Sequence, residues 1–340
     1  MAGEGANSRT TEPPVGRLYK VGDRRLWLHH SGEGTPATVF LSGAGTVGLD
    51  YFNVQQRAPR FGVSVIYDRW GTGFSEGDPA GQSAAATVAD LRALLNEAGI
   101  SPPYVLVGHS LGGLFARRYA QLFPSEVAGL VLLDPAHVDY NASLPEQLIA
   151  MRSGASSWIS LLLGKVGGSM MGAVIKIAPG LVAALPLVRR YRELYRRLFT
   201  AEMADWPPTL RETLIERHLT MAWFWAGIEE ARHVKPLYAE MRDAGPLPDI
   251  PLIILCSMGI DDFRRAVAVG ESDELVAAEL AGKRRLYDNL AATAPNGEVR
   301  PVDAGHLTIH FRHPEAVERA IADVLERFSD RAACSGQRTG

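Results

Sequence analysis

Residues 104 to 113 read Tyr-Val-Leu-Val-Gly-His-Ser-Leu-Gly-Gly, an apolar run that passes straight into Gly-x-Ser-x-Gly. Val105 to Val107 are aliphatic or β-branched and suit a buried strand, whereas Leu111 to Leu122 carry helical spacing. A strand joined to a helix in so few residues demands a turn tight enough for the apex residue to stand clear of the sheet. Small residues are needed around that apex, because Gly108 and Gly112 lie where a Cβ would collide with neighbouring backbone. Ser110 then stands at the helix N-terminus, where free N–H groups and the helix dipole favour developing negative charge. An ordinary glycine-rich turn is the competing reading in a chain with 34 glycines, and the strand–turn–helix context weighs against it.

The rest of the chain repeats this alternation. Leu18 to Val21 and Arg25 to His30 flank Gly22-Asp23 and predict a β-hairpin. Short apolar strands follow at Ala37 to Leu41, ending in Ser42-Gly43-Ala44-Gly45, and at Val63 to Tyr67, ending in Asp68-Arg69-Trp70-Gly71-Thr72-Gly73-Phe74-Ser75. Val88, Leu91, Leu94, Leu95 and Ala98 recur at helical spacing until Gly99 stops them. Gly129 to Leu133 gives a further buried strand that ends at Asp134. Runs apolar on both faces, alternating with helices, predict a mostly parallel sheet with helices on both faces.

Residues 139–248 break the alternation with helical pattern and no convincing strand. The order resumes with a strand at Leu252 to Leu255, a helix from Asp273 to Ala292, a strand around Val299 to Val302 and a last helix from Pro314 to Phe328. Pro301 removes a ladder donor, which predicts that its strand lies at a sheet edge. The expected organisation is one α/β core, 17–138 and 249–328, interrupted by a helical cap at 139–248, with flexible tails at 1–16 and 329–340.

With 35 basic and 38 acidic residues the formal charge is −3, which offers no electrostatic basis for binding nucleic acid. The two cysteines, Cys256 and Cys334, form neither a disulfide framework nor a metal-spaced cluster, and the N-terminus lacks the apolar run of a signal peptide. A cytoplasmic protein with no metal or organic cofactor is therefore expected.

A serine hydroxyl is a poor nucleophile until a base, usually a histidine oriented by a carboxylate, takes its proton. Of nine histidines, His306 is the best placed, in Asp303-Ala304-Gly305-His306 directly after the final strand and just before the final helix. Strand ends in such a sheet face the crevice where ligands bind. His109 adjoins the serine and should point away from it, because successive residues around so tight a turn diverge.

Together these motifs resemble the α/β-hydrolase superfamily over residues 17–328 apart from the insertion. The resemblance rests on Gly108 to Gly113, on Tyr67 to Ser75, on Gly305-His306, and on the order serine, acid, histidine. It implies the α/β-hydrolase fold, a Ser110 nucleophile and a His306 base. It also implies an oxyanion hole from the backbone N–H groups of Leu111 and Ala44. Ser42-Gly43 stands where the family usually has His-Gly. The acid stays open between Asp134, at the end of the strand after the nucleophile's helix, and Asp262, in a Gly259-to-Asp262 loop that matches the more common site; Asp134 is slightly preferred. Asp68 belongs to a motif that is structural in the family.

The insertion holds an unusually apolar stretch, Trp158 to Val188, broken by glycines, prolines, Lys165 and Lys176, followed by the basic Arg189 to Arg197. A cap over the crevice is favoured over a membrane-touching lid. Met221 to Trp225 adds aromatic bulk, which suits a small hydrophobic acyl substrate or serves as the cap's own core. The expected activity is a serine hydrolase of an apolar carboxylic ester or lactone. A thioesterase or carbon–carbon hydrolase would use the same residues, and a ligand-binding protein with little turnover is the alternative of another class. Oligomeric state is not legible.

Overall fold

The computed structural model describes residues 12–77, 81–151, 186–220, 233–267 and 270–336, together with Trp223, Ala226, Gly227, Glu229 and Glu230. Its strands are β1 (Arg17–Val21), β2 (Arg24–Ser31), β3 (Ala37–Leu41), β4 (Ser64–Tyr67), β5 (Tyr104–His109), β6 (Val127–Leu133), β7 (Leu252–Ser257) and β8 (Glu298–Val302). Among the described residues these form one sheet in the order β1-β2-β4-β3-β5-β6-β7-β8. β1 and β2 pair antiparallel, β2 pairs antiparallel with β4, and every later pairing is parallel. The hairpin closes through Val21 and Arg24, with Gly22 at φ 62° supplying the left-handed turn.

Strands β3 to β7 are buried along their whole length, as a sheet covered on both faces requires. Successive side chains alternate between two cores. Leu106, Leu130 and Leu132 pack with Leu91, Leu94, Leu114 and Tyr119 from helices Ala84–Glu97 and Leu111–Leu122. Val105, Val107, Val131 and Leu133 pack on the other face with Val317, Ile321 and Val324 of the last helix, Pro314–Gly336. β8 is the edge strand that Pro301 predicted.

Both ends depart from expectation. The Trp27 indole N–H donates to the Val15 carbonyl at 2.9 Å, so the last residues of the expected N-terminal tail are tied to β2. The last helix continues to Gly336 instead of stopping at Phe328, because Ala332 and Ala333 are strong helix formers and Arg331 pairs with Asp249 at 2.6 Å. Residues 1–11 and 337–340 lie outside the described residues.

Between β6 and β7 the regular elements described are helices, chiefly Pro186–Glu202, Pro208–His218 and Val234–Asp243. They are keyed to the core by buried polar contacts: His218 Nε2 meets Asp50 Oδ1 at 2.8 Å, and the Arg217 guanidinium lies 3.8 Å over the Phe74 ring. Most of the apolar stretch, 158–185, and all of 221–225 except Trp223 lie outside the described residues. No helix among the described residues is long and apolar enough to cross a membrane.

Candidate active site

The turn between β5 and the helix Leu111–Leu122 holds Ser110 at φ 50° and ψ −118°, a conformation that a residue with a Cβ seldom adopts. Its amide donates to Leu133 O at 3.0 Å, and its carbonyl accepts from Gly113 and Ala136. A Cβ on Gly108 would stand 2.6 Å from the Gly112 carbonyl oxygen, and one on Gly112 would stand 2.0 Å from the Leu41 oxygen. Both glycines are therefore required for the strand and helix to approach this closely.

The loop after β8 brings His306 beside the serine, with Nε2 3.0 Å from Ser110 Oγ and Nδ1 2.6 Å from Asp134 Oδ2. The carboxylate accepts, so Nδ1 carries the hydrogen and Nε2 faces the hydroxyl as an acceptor. Asp134 follows β6 in the left-handed region, at φ 42°, and its amide donates to Leu255 O at 2.8 Å. The other candidate acid goes elsewhere: Asp262 is 57% exposed and pairs with Arg265 at 3.0 Å. Its neighbour Asp261 caps the short helix Asp262–Val267 by accepting from the Arg264 amide.

A residue that sequence patterning did not single out completes the acid's surroundings. Lys283, 5% exposed, places its ammonium 2.9 Å from Asp134 Oδ1, and it also donates to the carbonyl and the hydroxyl of Ser257. The Ser257 amide donates to Asp134 Oδ1 at 3.1 Å. Burial works against an ionised Asp134, but the Lys283 charge and the His306 hydrogen bond outweigh it and hold the carboxyl well below the usual carboxylate range. The signal was present: Lys283 falls in the buried stripe Val276, Glu279, Lys283, Tyr287, Leu290 of the helix Asp273–Ala291, where an unpaired charge would be costly.

On the other side of Ser110 lies the loop after β3. Leu111 follows the serine in the turn and Ala44 lies in this loop, and among the described residues no hydrogen-bond acceptor takes either amide. Gly43 is pressed against the turn, where a Cβ would meet His109 Nδ1 and Ser110 Cβ, each at 3.1 Å. Arg69, 5% exposed, donates to the Ser42 carbonyl, to Ser42 Oγ at 2.8 Å and to the Gly43 carbonyl at 2.9 Å. Ser42 thus serves as an acceptor for a buried guanidinium. The charge is balanced by Glu230 of the insertion, whose second oxygen accepts from the Gly45 amide at 2.8 Å. The Trp223 indole donates to the Gly45 carbonyl, also at 2.8 Å.

His109 is turned into the core and does not contact the serine hydroxyl. Tyr51 donates to its Nδ1, and its Nε2–H donates to the His306 carbonyl at 2.8 Å. Tyr51 also accepts from the Gly43 amide at 3.2 Å, so one chain of hydrogen bonds joins the two loops that flank Ser110. Burial and the nearby His306 push His109 down to about 3, which keeps it neutral and suited to this bridging role. Asp68 is structural, as expected: it accepts from the amides of Gly48 and Phe74, each at 2.7 Å, and burial raises it to about 6.

A cavity of about 590 Å³ opens beside Ser110 and His306. Leu194, Tyr195, Tyr238, Leu280, Tyr287 and Leu307 give it apolar and aromatic walls, but one end is polar, where Arg264 meets Glu279 and the Tyr140 hydroxyl donates to Glu279 at 2.6 Å. Among the described residues no group of His, Cys, Asp or Glu is arranged to hold a metal ion.

The chain is 29% identical over 180 residues to the (lyso)-N-acylphosphatidylethanolamine lipase of Mus musculus, an alignment covering 50% of this chain and 49% of the lipase. The chain spans about half or less of the length of the curated relatives it matches first. Its architecture is similar to a putative epoxide hydrolase from Pseudomonas aeruginosa, with a TM-score of 0.64 at 18% identity over 94% of this chain and 99% of that one. It is also similar to an esterase from Exiguobacterium antarcticum, with a TM-score of 0.55 at 14% identity over 91% and 99% of the two chains. At such identities the two structures speak for the fold alone. The sequence pattern of the alpha/beta hydrolase family matches residues 38–320, from β3 into the last helix, and the chain belongs to that family.

Proposed function

We propose that the protein is a serine hydrolase of carboxylic esters, including lactones, with Ser110 as nucleophile, His306 as base and then acid, and Asp134 as the carboxylate that orients the histidine. The observation that carries this reading is the unbroken hydrogen-bonded series from Asp134 through His306 to Ser110, at 2.6 and 3.0 Å, ending on a strained serine that faces a cavity.

Ser110 Oγ attacks the carbonyl carbon as its proton passes to His306 Nε2. The negative charge that forms on the carbonyl oxygen is received by the amides of Leu111 and Ala44. Collapse of the tetrahedral species breaks the ester C–O bond, and the departing alkoxide takes the proton from Nε2. A water then repeats the sequence on the acyl-enzyme, losing its proton to His306 and releasing the acid, while Ser110 regains its hydrogen. Asp134 stays ionised throughout and stabilises the transient imidazolium. The apolar walls favour an aliphatic or aromatic acyl group, and the relative similar to half of this chain is a (lyso)-N-acylphosphatidylethanolamine lipase.

The test is hydrolysis of p-nitrophenyl esters of rising chain length by the wild type and by Ser110→Ala. Turnover by the wild type that falls at least about 10⁴-fold in the variant is expected. Comparable turnover in both would overturn the assignment of the nucleophile.

A further inference from the structure

A buried carboxylate beside a histidine raises an electrostatic problem. Full negative charge on Asp134 stabilises the imidazolium form of His306, and an imidazolium cannot take the proton of Ser110. The charge facing Asp134 therefore decides how far into acid the histidine remains a usable base.

Four elements pack against Asp134. The loop after β8 presents His306, and the end of β5 presents His109, held neutral by burial. β7 presents Ser257 and Cys256, whose thiol burial pushes up to about 11. The helix Asp273–Ala291 presents Lys283 and, one turn later, Tyr287, whose hydroxyl donates to the Pro135 carbonyl at 2.8 Å and is held well above its ordinary value by burial and by the Asp134 charge. Among the described residues Lys283 is thus the one fixed cation against the carboxylate. All three of its N–H bonds are committed, to Asp134 and to both oxygens of Ser257, which leaves it no freedom to turn toward a ligand. The helix comes close enough because residue 282 is glycine: a Cβ there would stand 2.1 Å from the Ser143 carbonyl oxygen.

We propose that Lys283 is a positioning residue of this site: its ammonium fixes the Asp134 carboxylate so that one oxygen faces His306, and it offsets part of the carboxylate charge that acts on the histidine. The proposal rests on the reading of His306 as base and Asp134 as its carboxylate. Its consequence is that the acid limit of activity responds to a lysine held by Asp134 and Ser257.

The experiment is an NMR titration of the His306 imidazole in histidine-labelled protein, assigned by the signal lost in His306→Asn, for the wild type, Lys283→Met, Lys283→Gln and Lys283→Arg. The two neutral variants are expected to raise the midpoint by about one pH unit, as loss of a neighbouring cation requires, while Lys283→Arg stays near the wild-type midpoint. The acidic limb of kcat/KM should move with it. A folded Lys283→Met with an unmoved midpoint would overturn the proposal. So would failure of both neutral variants to fold while Lys283→Arg folds, since the lysine would then serve the fold alone. The titration needs no substrate, so it can fail while the Ser110 reading stands, and the Ser110→Ala assay can fail independently of it.

Discussion

Ser110 is flanked by two buried cations with different counter-charges. On the acid side Lys283 is paired with Asp134, and everything that holds the pair, β6, β7 and the helix Asp273–Ala291, belongs to the α/β core. On the oxyanion side Arg69 holds the Ser42-Gly43 backbone from the core, but its carboxylate partner, Glu230, comes from the insertion and also binds the Gly45 amide. On the proposed mechanism the proton-transfer side is complete within the core, and the side assigned to developing charge depends on the insertion being docked, because an unpaired buried guanidinium would no longer hold the loop.

The comparison breaks most visibly on the acid side. Asp134→Asn, which leaves the geometry but offers His306 the wrong hydrogen-bonding partner, should lower kcat by about 10⁴-fold. Asp262→Asn, at an exposed residue paired only with Arg265, should leave kcat near wild type. Parallel ester kinetics on the two variants check this, and equal losses would show that the acid is misassigned. Lys283→Met comes next, with its displaced acidic limb.

Substitutions on the oxyanion side should lower kcat without displacing that limb, and this contrast sharpens the comparison. Glu230→Gln keeps an acceptor for Gly45 but removes the charge opposite Arg69. It should cost about 3 kcal/mol of stability, read by denaturant unfolding, and about tenfold in kcat. A variant as stable and active as wild type would mean that the insertion does not support this loop. Trp223→Phe deletes one indole hydrogen bond to the Gly45 carbonyl and should cost about fivefold in kcat, the worth of a single such bond. A larger loss than that of Glu230→Gln would shift the weight of the contact from the ion pair to the indole.

Much of the site could be read in the chain because its features are local. The Gly108-to-Gly113 turn is dictated by short-range sterics, and β3, β5, β6 and β7 announce themselves as apolar runs. His306 followed from its place between the last strand and the last helix. The acid was harder, since Asp134 and Asp262 both follow sheet strands and patterning does not report which carboxylate turns toward the histidine. That was decided by the left-handed backbone at Asp134, by the Leu255 carbonyl that anchors its amide, and by Lys283 behind it.

The sequence by itself determined the strand–turn–helix at Ser110, the mostly parallel sheet and the edge position of β8, because each follows from periodicity or from contacts between chain neighbours, and it marked His306 by its place after the last strand. Only the tertiary structure decided which aspartate meets His306, that Lys283 and Arg69 carry the two flanks, that Tyr51 and His109 join them, and that Glu230 reaches the Gly45 amide. Those assignments depend on the direction of single side chains brought together from distant segments; patterning marks Lys283 as a charge in a buried stripe, but its partner, like the others, is set by packing and by the need to neutralise buried charge.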